Sequence, residues 1–552
     1  MNQGRLFYVT GISGTGVKKA LRKFVDWYPA DETSQRRPRL FYLEDELERI
    51  TVSDVNRLVE AAASSYSDRA ELQDVLQLPK PLLTKHWKTA YQNILLQADE
   101  TLKSGTDVFI SFHACWYHVG NREYISPVSS QVLQPASHVI TFIDDIYDIY
   151  ERLRQPGHIL QATRVDGNPL LDSLVKLLFI LNWRAIELVV AQQLAAACNA
   201  RHFLFATKHP CSTFYSLLFE DKPVVYLSHH ITFPRELLGL GQLDDAKSLI
   251  DEISEFARCL RSKVTLFEPT TIDEARFSRI DLLDTKKPLP ALSQRWSMPV
   301  TDPRDMLYDS PQAAVGDEPL FGQEWRDDAL AYLSNRNALT PAEVSNIEHA
   351  AQLLMFLDDE IRHQINARDH ALVEQSQFVA AYRPWMRGQS AGGVRKELQH
   401  HASLGGRPVI VHPTSDETTR QRVVVRDYLR VLVKDGKLRP KASTAGALAL
   451  RLDTLQTDDD FWQRFNQAQK EGQGKLGAYI LQALGCEVPP ATKSSPLASD
   501  PGAMPGREVA SAVLAEMNST KYTKELESSE VITELLSPEQ AAQRVVKVIS
   551  KL

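Results

Sequence analysis

The 552-residue chain lacks the features that mark secreted and membrane proteins. Its five cysteines are scattered and form no CxxC pair, which argues against a disulfide framework or a cysteine zinc site and indicates reduced thiols. No apolar run approaches the roughly 18 residues of a membrane span. The N-terminal sequence MNQGRLFYVTG lacks the charged start and long apolar run of a signal peptide. We therefore expect a cytoplasmic protein that does not engage membranes.

The chain also lacks an excess of positive charge. It carries 63 Lys and Arg against 70 Asp and Glu, for a net charge of −7 and a pI near 6.1. This balance gives no general attraction to nucleic acid, so we do not expect a nucleic-acid partner. The hydrophobic content of 43% is sufficient for packed interiors, and the length predicts several domains.

Short apolar runs alternate with helical patterns over residues 1–218. Strands separated by helices in this way favour a parallel sheet that is covered on both faces. The predicted helices lie at 17–27 and 174–198. The predicted strands lie at 6–10, 40–43, 108–112, 138–143 and 202–206.

The alternation begins again within residues 219–430. Strands are predicted at 223–227, 264–267, 378–382 and 408–411, with helices at 246–260, 344–365 and 393–403. A stretch rich in Pro and Asp, 286–341, is interpreted as an insertion or lid. Residues 431–552 are predicted to be a helical C-terminal region that contains a breaker-rich linker at 488–506. The predicted fold class is thus α/β, with two three-layer domains built on parallel sheets and a helical C-terminal region.

A glycine-rich turn, GISGTG, joins the first predicted strand to the first helix. Backbone N–H groups and a helix N-terminus at such a turn can bind phosphate. A Walker A loop would continue with Lys and then Ser or Thr, but Val17 and Lys18 occupy those positions. The usual Mg²⁺ ligand is therefore missing, and Lys18 or Lys19 can supply charge only from a shifted position.

This first domain resembles P-loop nucleoside and nucleotide monophosphate kinases. The resemblance rests on the VTGISGTG turn and on the run HVITFIDDIYDIYERLR, in which Asp144 and Asp145 end a strand. In such kinases, arginines placed like Arg152 and Arg154 neutralise the charge of the transferred phosphate. The resemblance implies binding of ATP or another nucleotide; phosphoryl transfer, a need for Mg²⁺ and a purely structural role all stay open. The predicted phosphate-binding residues are Gly11, Ser13, Gly14, Thr15, Gly16, Lys18, Lys19, Arg152 and Arg154.

Three segments of the second domain carry polar residues near predicted strand ends. They are VVYLSHH at 224–230, RDHALVEQSQ at 368–377 and QSAGGVRKEL at 389–398. In open α/β sheets, ligands bind at the carboxyl ends of the strands. We therefore expect a ligand site where these segments meet.

These segments resemble, in order, motifs of the nucleoside 2-deoxyribosyltransferase superfamily, which includes deoxynucleoside 5′-monophosphate N-glycosidases. The resemblance extends from Lys222 to Thr414 and implies that Glu397 is the nucleophile. It also implies that Asp369 protonates or hydrogen-bonds the leaving base and that Tyr226 holds Glu397 in line. An oligomer, expected to be a homo-oligomer, is implied by resemblance alone. The predicted substrate-binding residues are Ser228, His229, Ser390, Gly392 and Gly393.

The chemistry of the reaction accounts for these residue types. Cleavage of an N-glycosidic bond develops oxocarbenium character at C1′ of the sugar, and a nearby carboxylate stabilises or captures that carbon. This chemistry requires no cofactor. Each residue also has a structural interpretation: Glu397 as a charge at a helix start, Asp369 as a helix surface residue and Tyr226 as part of a strand core.

We therefore expect an N-glycosidase or deoxyribosyltransferase that acts on a nucleoside or a (deoxy)nucleotide and is joined to a nucleotide-binding P-loop domain. Nucleotide salvage, pool clearance and a defence response would each suit such a fusion. One alternative is an enzyme that cleaves NAD at its nicotinamide ribose. The other is a non-catalytic protein that senses nucleotides and oligomerises. No metal site is expected, since His400 and His401 have no partner ligands at metal spacing.

Overall fold

The structure, a computed structural model, describes most of the two predicted α/β regions and much of the C-terminal region. The described residues are 3–29, 37–51, 79–118, 123–126, 128, 133–153, 169–231, 243–269, 272, 307, 340–386, 389–390, 392–411, 414–441, 445–487, 506–518, 530–532 and 537–552. Arg154 and nearly all of the predicted insertion and linker lie outside these residues.

Contacts between residues divide the chain into two compact units. The first unit comprises Met1–Lys222 and Phe267–Gln375, and the second comprises Pro223–Leu266 and Ser376–Leu552. This division differs from the predicted domain boundaries, because 267–375 group with the N-terminal part. The predicted helix at 344–365 is present but belongs to the first unit.

The first unit is built on a five-stranded parallel sheet. Along the sheet the strand order is β2-β3-β1-β6-β7, so β1 is central. The residues of β1 are all buried, as expected for a strand covered on both faces. The strands of this unit are β1 (Leu6–Thr10), β2 (Arg39–Tyr42), β3 (Val108–Ser111), β4 (Trp116–His118), β5 (Glu123–Ile125), β6 (His138–Ile143) and β7 (Arg201–Ala206), with β4 and β5 forming a separate antiparallel pair.

Helices cover this sheet through apolar residues spaced three or four apart. In the first helix the buried residues are Val17, Ala20, Leu21 and Phe24, which form one stripe along the helix. The helices of this unit whose bounds are described are α1 (Val17–Trp27), α2 (Lys80–Lys103), α3 (Ile146–Leu153), α4 (Pro169–Ala197), α5 (Cys211–Phe219) and α7 (Pro341–Glu374). The last of these packs against α4, and the two share a buried apolar cluster with α3.

The second unit also contains a five-stranded sheet. Its order is β16-β13-β10-β8-β9, and the pairs β8–β10, β10–β13 and β13–β16 are parallel. If the five strands are numbered by their order along the chain and the sheet is read from β9, the order is 2-1-3-4-5. The strands of this sheet are β8 (Val224–His229), β9 (Thr265–Phe267), β10 (Phe378–Tyr382), β13 (Val409–Val411) and β16 (Glu530–Ile532). Two short antiparallel pairs lie outside it: β11 (Trp385–Met386) with β12 (Gln389–Ser390), and β14 (Arg439–Pro440) with β15 (Cys486–Glu487).

The helices of the second unit include most of the C-terminal region. They are α6 (Leu243–Arg261), α8 (Gly392–Ser403), α9 (Thr414–Lys434), α10 (Leu448–Thr454), α11 (Asp459–Lys470), α12 (Gln473–Leu484), α13 (Arg507–Asn518) and α14 (Pro538–Ile549). Helices α9 to α13 contribute to one apolar core. The last helix begins with a capping box formed by Ser537 and Gln540, and it packs on α6.

The strands of the C-terminal region were not predicted from the sequence. The region is mainly helical, as predicted, but β16 adds a parallel strand beside β13. Three residues give too short an apolar run to be distinguished from a helix or a loop. The predicted mixed α/β class with parallel sheets is confirmed. No described helix combines the length and apolar character needed to cross a membrane.

Candidate functional site

Glu397 lies on the buried face of α8 in the second unit. The buried residues of this helix, Val394, Glu397, Leu398 and His401, recur at three- and four-residue spacing and form its inner stripe. The other three can pack without ionising, whereas Glu397 brings a carboxyl group to a position that is only 7% exposed. A charged group at such a position needs hydrogen-bond partners to offset its loss of hydration.

Strand β8 supplies those partners from two alternate positions. Tyr226 and Ser228 are two residues apart, so their side chains lie on the same face of the sheet. The Tyr226 hydroxyl donates to Glu397 Oε1 at 3.1 Å. The Ser228 hydroxyl donates to Glu397 Oε2. Both carboxylate oxygens are therefore held, and the orientation of the carboxylate is set by the strand.

This cluster lies at the topological switch point of its sheet. Strand β8 is flanked by β9 on one side and β10 on the other, and the chain returns to the sheet on opposite sides after β8 and after β9. The crevice outside the carboxyl ends of two such strands is where open α/β sheets bind ligands. The register pairs Ser228 with Ala381 and His229 with Tyr382, so both strands end at the same edge.

His229 and His230 also lie at this edge of the sheet, and both are buried. By strand alternation, the His229 side chain lies on the opposite face from Ser228, where it is 3% exposed. His230 Nε2 donates to the carbonyl of Pro384 at 2.7 Å and so ties β8 to the segment after β10. A substrate contact by His229 remains a prediction.

The predicted phosphate turn lies at the start of α8. Ser390 ends the short strand β12, paired with Trp385, and Gly392 and Gly393 begin the helix. A Cβ atom added at either glycine would meet no atom of the described residues within 4 Å, apart from chain neighbours and the helix's own backbone. Neither glycine has a positive φ, so local conformation does not require glycine at these positions. They leave open space at a helix N-terminus, where backbone N–H groups can meet an anion.

Asp369 belongs to the first unit, near the end of α7. Its Oδ1 accepts hydrogen bonds from Arg368 Nε at 3.0 Å and Nη2 at 2.8 Å. Arg368 in turn donates to the carbonyl of Ile272 at 3.0 Å. Among the three predicted catalytic residues, the structure thus joins Tyr226 and Glu397, whereas the role of Asp369 stays a prediction.

The glycine-rich turn of the first unit follows the central strand β1, also at a switch point, between β3 and β6. Gly14 and Gly16 adopt left-handed conformations with φ of 83° and 81°, which favour glycine. A Cβ atom at Gly14 would also lie 2.8 Å from Leu153 Cγ. Gly16 is the N-cap of α1, so the turn leads directly to a helix N-terminus.

The two predicted lysines of this turn lie at the start of α1. Lys18 Nζ bonds Asp45 Oδ2 at 2.7 Å and lies 5.1 Å from the centre of the Tyr42 ring. Lys19 is exposed on the helix surface. The hydroxyl of Thr15, in contrast, is fully buried and has no hydrogen-bond partner among the described residues. Phosphate binding by Lys18 and Lys19 stays a prediction.

Arg152 links the turn to the end of β6. Its guanidinium donates to the Gly14 carbonyl at 2.5 Å and to Asp144 Oδ2 at 2.7 Å. Lys208, which sequence reasoning missed, pairs with Asp148 at 2.6 Å. Burial lowers the pKa of Lys208, but the neighbouring aspartates raise it by more, so its net pKa is raised. The positive charges at this edge are therefore matched by carboxylates.

Glu187 on α4 is a second residue that sequence reasoning missed. Its carboxylate accepts from the backbone N–H groups of Gly11 at 3.0 Å, Ala114 at 2.9 Å and Cys115 at 2.6 Å. Burial raises the pKa of Glu187 to about 7, although His113 and these three donors oppose the shift. The only sequence signal was a charge within the long apolar helix 174–197. His113 also contacts the glycine-rich turn. Its Nδ1 bonds the Gly11 carbonyl, and its Nε2 lies 3.3 Å from Ser13 Oγ.

No protein-family model matches the sequence, and a search of curated proteins finds no significant match. In the part of the chain that the structure describes, no three His, Cys, Asp or Glu side chains are arranged to hold a metal ion. The family resemblances therefore stay predictions, and the geometry of the residues is what supports a function.

Proposed function

We propose that the second unit cleaves or transfers the N-glycosidic bond of a nucleoside or (deoxy)nucleotide, with Glu397 as the nucleophile. One observation carries this proposal: a buried carboxylate is held through both oxygens by Tyr226 and Ser228 at the switch point of an α/β sheet. A nucleophile must be held in one orientation toward the reacting carbon, and paired hydroxyl donors provide that.

The proposed reaction has two steps. A Glu397 oxygen bonds C1′ of the sugar while the electrons of the C1′–N bond pass to the base, which leaves as it takes up a proton. Water or a second base then attacks C1′ and releases Glu397, giving hydrolysis or transfer. The family resemblance predicts that Asp369 protonates or hydrogen-bonds the leaving base, and an Asp369→Asn variant tests that prediction separately.

The sheet topology supports the architecture predicted for this unit. The strand order 2-1-3-4-5 is that of flavodoxin-like folds, which bind ligands at the switch point between their first and third strands. In this unit those strands are β8 and β10. The open glycines at the start of α8 are consistent with a ligand that approaches the helix N-terminus.

The test is base release from a panel of nucleosides, nucleoside monophosphates and NAD, read by mass. Wild-type protein should free a base, Glu397→Gln should not, and Lys396→Ala, which changes an exposed neighbour on the same helix, should behave as wild type. Equal release by wild type and Glu397→Gln would refute the proposal. Nicotinamide as the sole product would favour the NAD-cleaving alternative. Binding with no product from any substrate would favour the non-catalytic sensing alternative.

For the first unit we propose nucleotide binding without phosphoryl transfer. The glycine turn and the α1 N-terminus suit a phosphate, but Lys18 is paired with Asp45 and Arg152 with Asp144. ATP binding without ATP consumption is the expected result. ATP consumption lost in a Lys18→Ala, Lys19→Ala double variant would instead favour the kinase alternative. Both proposals are consistent with a cytoplasmic homo-oligomer that handles nucleotides.

A further inference from the structure

Helices α9 to α13 of the second unit are an insertion in its α/β fold. The chain leaves the sheet after β13, forms these helices around an apolar core of their own, and returns at β16, the parallel neighbour of β13. A crossover between parallel neighbours needs only about a dozen residues. Here the connection extends from Val411 to Glu530, so the sheet does not require the inserted part, residues 414–518, which we call the helical module.

Positive charge is concentrated in the helical module, against the balance of the whole chain. Residues 422–451 contain eight Lys and Arg, two Asp and no Glu, for a net charge of +6, whereas the whole chain carries −7. In α9, Arg422, Arg426, Arg430 and Lys434 recur every four residues, which places them along one side of the helix. The whole-chain charge therefore does not describe this surface.

Aspartates match the arginines at the start of this stripe. Arg422 pairs with Asp459 at 2.7 Å, and Arg430 pairs with Asp427 at 3.4 Å. The segment that follows, 434–451, contains five Lys and Arg and a single acidic residue. The excess of positive charge therefore lies at the C-terminal end of α9 and beyond it.

Four exposed residues of that segment, Lys434, Lys437, Arg439 and Arg451, form what we call the basic cluster. Helix α9 ends at Lys434 and is followed by a tight turn, in which the Lys437 N–H donates to the carbonyl of Leu432 at 2.9 Å. Strand β14 begins at Arg439, directly after this turn. Both lysines and Arg439 thus lie within six residues of chain.

The two arginines of the cluster meet the same short segment of the module. Arg439 lies opposite Glu487 in the antiparallel pair of β14 and β15. Arg451, on α10, donates from Nη1 to the carbonyl of Ala483, near the end of α12, at 3.3 Å. Contacts with residues 483–487 therefore bring Arg451 to the same end of the module as Arg439 and the lysines.

The packing of α9 favours a polyanionic partner over a membrane. A helix that binds a bilayer surface inserts a wide apolar face, but Val425, Leu429 and Leu432 are buried in the core of the module. Among the described residues of α9 and α10, the exposed large apolar side chains are Val431 and Leu450. A nucleic acid offers regularly spaced phosphates and requires no apolar face.

We propose that the basic cluster binds the phosphate backbone of a nucleic acid. Lys and Arg side chains that neutralise phosphates release condensed counterions, which gives an affinity that falls steeply with salt. The exposed ends of the two lysines can approach a phosphate without any change in the core of the module. This inference adds a macromolecular partner and is independent of the function proposed for Glu397, because binding needs no base release.

The test measures binding of the full chain to a labelled single strand of about 20 nucleotides by fluorescence anisotropy, between about 50 and 200 mM salt. A Lys434→Ala, Lys437→Ala double variant should bind about tenfold more weakly at low salt. Its slope of log K against log salt should be shallower by about 1.4, since each phosphate contact with a single strand contributes about 0.7. Both lysines are exposed, so circular dichroism should show an unchanged fold.

The matched control is a Lys85→Ala, Lys88→Ala double variant. It removes two exposed lysines at the same spacing from α2 of the first unit, with the same change in net charge. This control should keep the affinity and the salt slope of wild type. Equal losses in the two double variants would overturn the proposal, because they would indicate a general attraction to surface lysines.

Three other results would also overturn the proposal. The first is no binding of wild type to single-stranded DNA, duplex DNA or RNA at low salt. The second is tighter binding to vesicles of phosphatidylserine and phosphatidylcholine than to nucleic acid, which would assign the cluster to an anionic membrane. The third is tighter binding to poly-glutamate than to nucleic acid, which would assign it to an acidic protein.

Discussion

Two buried glutamates, one in each unit, are held in chemically different ways. Glu187 is 1% exposed and accepts from three backbone N–H groups, whereas Glu397 is 7% exposed and accepts from two side-chain hydroxyls. A carboxylate bound to backbone fixes the path of the chain, here that of the glycine turn and of the segment after β3. A carboxylate bound to hydroxyls, beside open glycines, can exchange one partner for a substrate. The comparison indicates a structural role for Glu187 and is consistent with the chemical role proposed for Glu397.

The largest effect should come from Glu397→Gln. Removing the nucleophile should lower the rate of base release by about a thousandfold or more, comparable to the loss of a single catalytic side chain in other enzymes. The free energy of unfolding should change little, because the amide keeps the volume and one acceptor. Steady-state base release and urea unfolding measure the two quantities. A variant that unfolds easily but turns over normally would reverse the assignment.

Glu187→Ala should have the opposite profile. It leaves the N–H groups of Gly11, Ala114 and Cys115 without their acceptor inside the protein, and each unsatisfied donor costs about 1–3 kcal/mol. We expect the unfolding free energy to fall by about 3 kcal/mol or more, as measured by urea denaturation of the first unit's transition. A stable Glu187→Ala protein would show that water replaces the carboxylate.

The pH dependence of stability should separate the two residues further. The folded pKa of Glu187 is raised from 4.5 to about 7, so the folded state binds this proton more tightly than the unfolded state. The contribution is therefore favourable at low pH and is lost as pH rises from about 4.5 to 7, by about 1–3 kcal/mol. The free energy of unfolding, measured in urea at pH 5 and at pH 7.5, should change with pH by a different amount in wild type and in Glu187→Gln. Equal changes in the two proteins would contradict the prediction.

Tyr226→Phe should give the smallest of these effects. It removes the 3.1 Å hydrogen bond to Glu397 and leaves the ring in the strand core. Loss of one hydrogen bond to a charged group should lower kcat about tenfold, with KM nearly unchanged if Tyr226 only positions the carboxylate. A change in KM alone would indicate that Tyr226 contacts the substrate instead.

The sequence was informative where structure depends on local periodicity. The apolar runs at 6–10, 138–143 and 378–382 correspond to β1, β6 and β10, and the helical pattern at 393–403 corresponds to α8. Glu397 was also identified from sequence as the residue of interest on that helix, and Tyr226 was selected as its partner. Ser228 was expected near the substrate, but its hydroxyl bonds Glu397 itself.

The sequence was less informative where contacts join distant segments. It assigned 344–365 to the second domain, although α7 packs on α4 in the first unit, because an amphipathic helix does not specify which surface covers it. It passed over Glu187, since one of a few scattered charges in a long apolar helix carries no periodic signal.

The sequence by itself determined the elements and their class: short continuous apolar runs produce buried strands, apolar residues spaced three or four apart produce helices, and their alternation produces parallel sheets. Only the tertiary structure decided which donors surround each carboxylate. Glu397 meets Tyr226 across 171 residues of chain and Glu187 meets Gly11 across 176. Contacts between residues so far apart in sequence depend on how whole helices pack onto sheets, and no local pattern of residues specifies them.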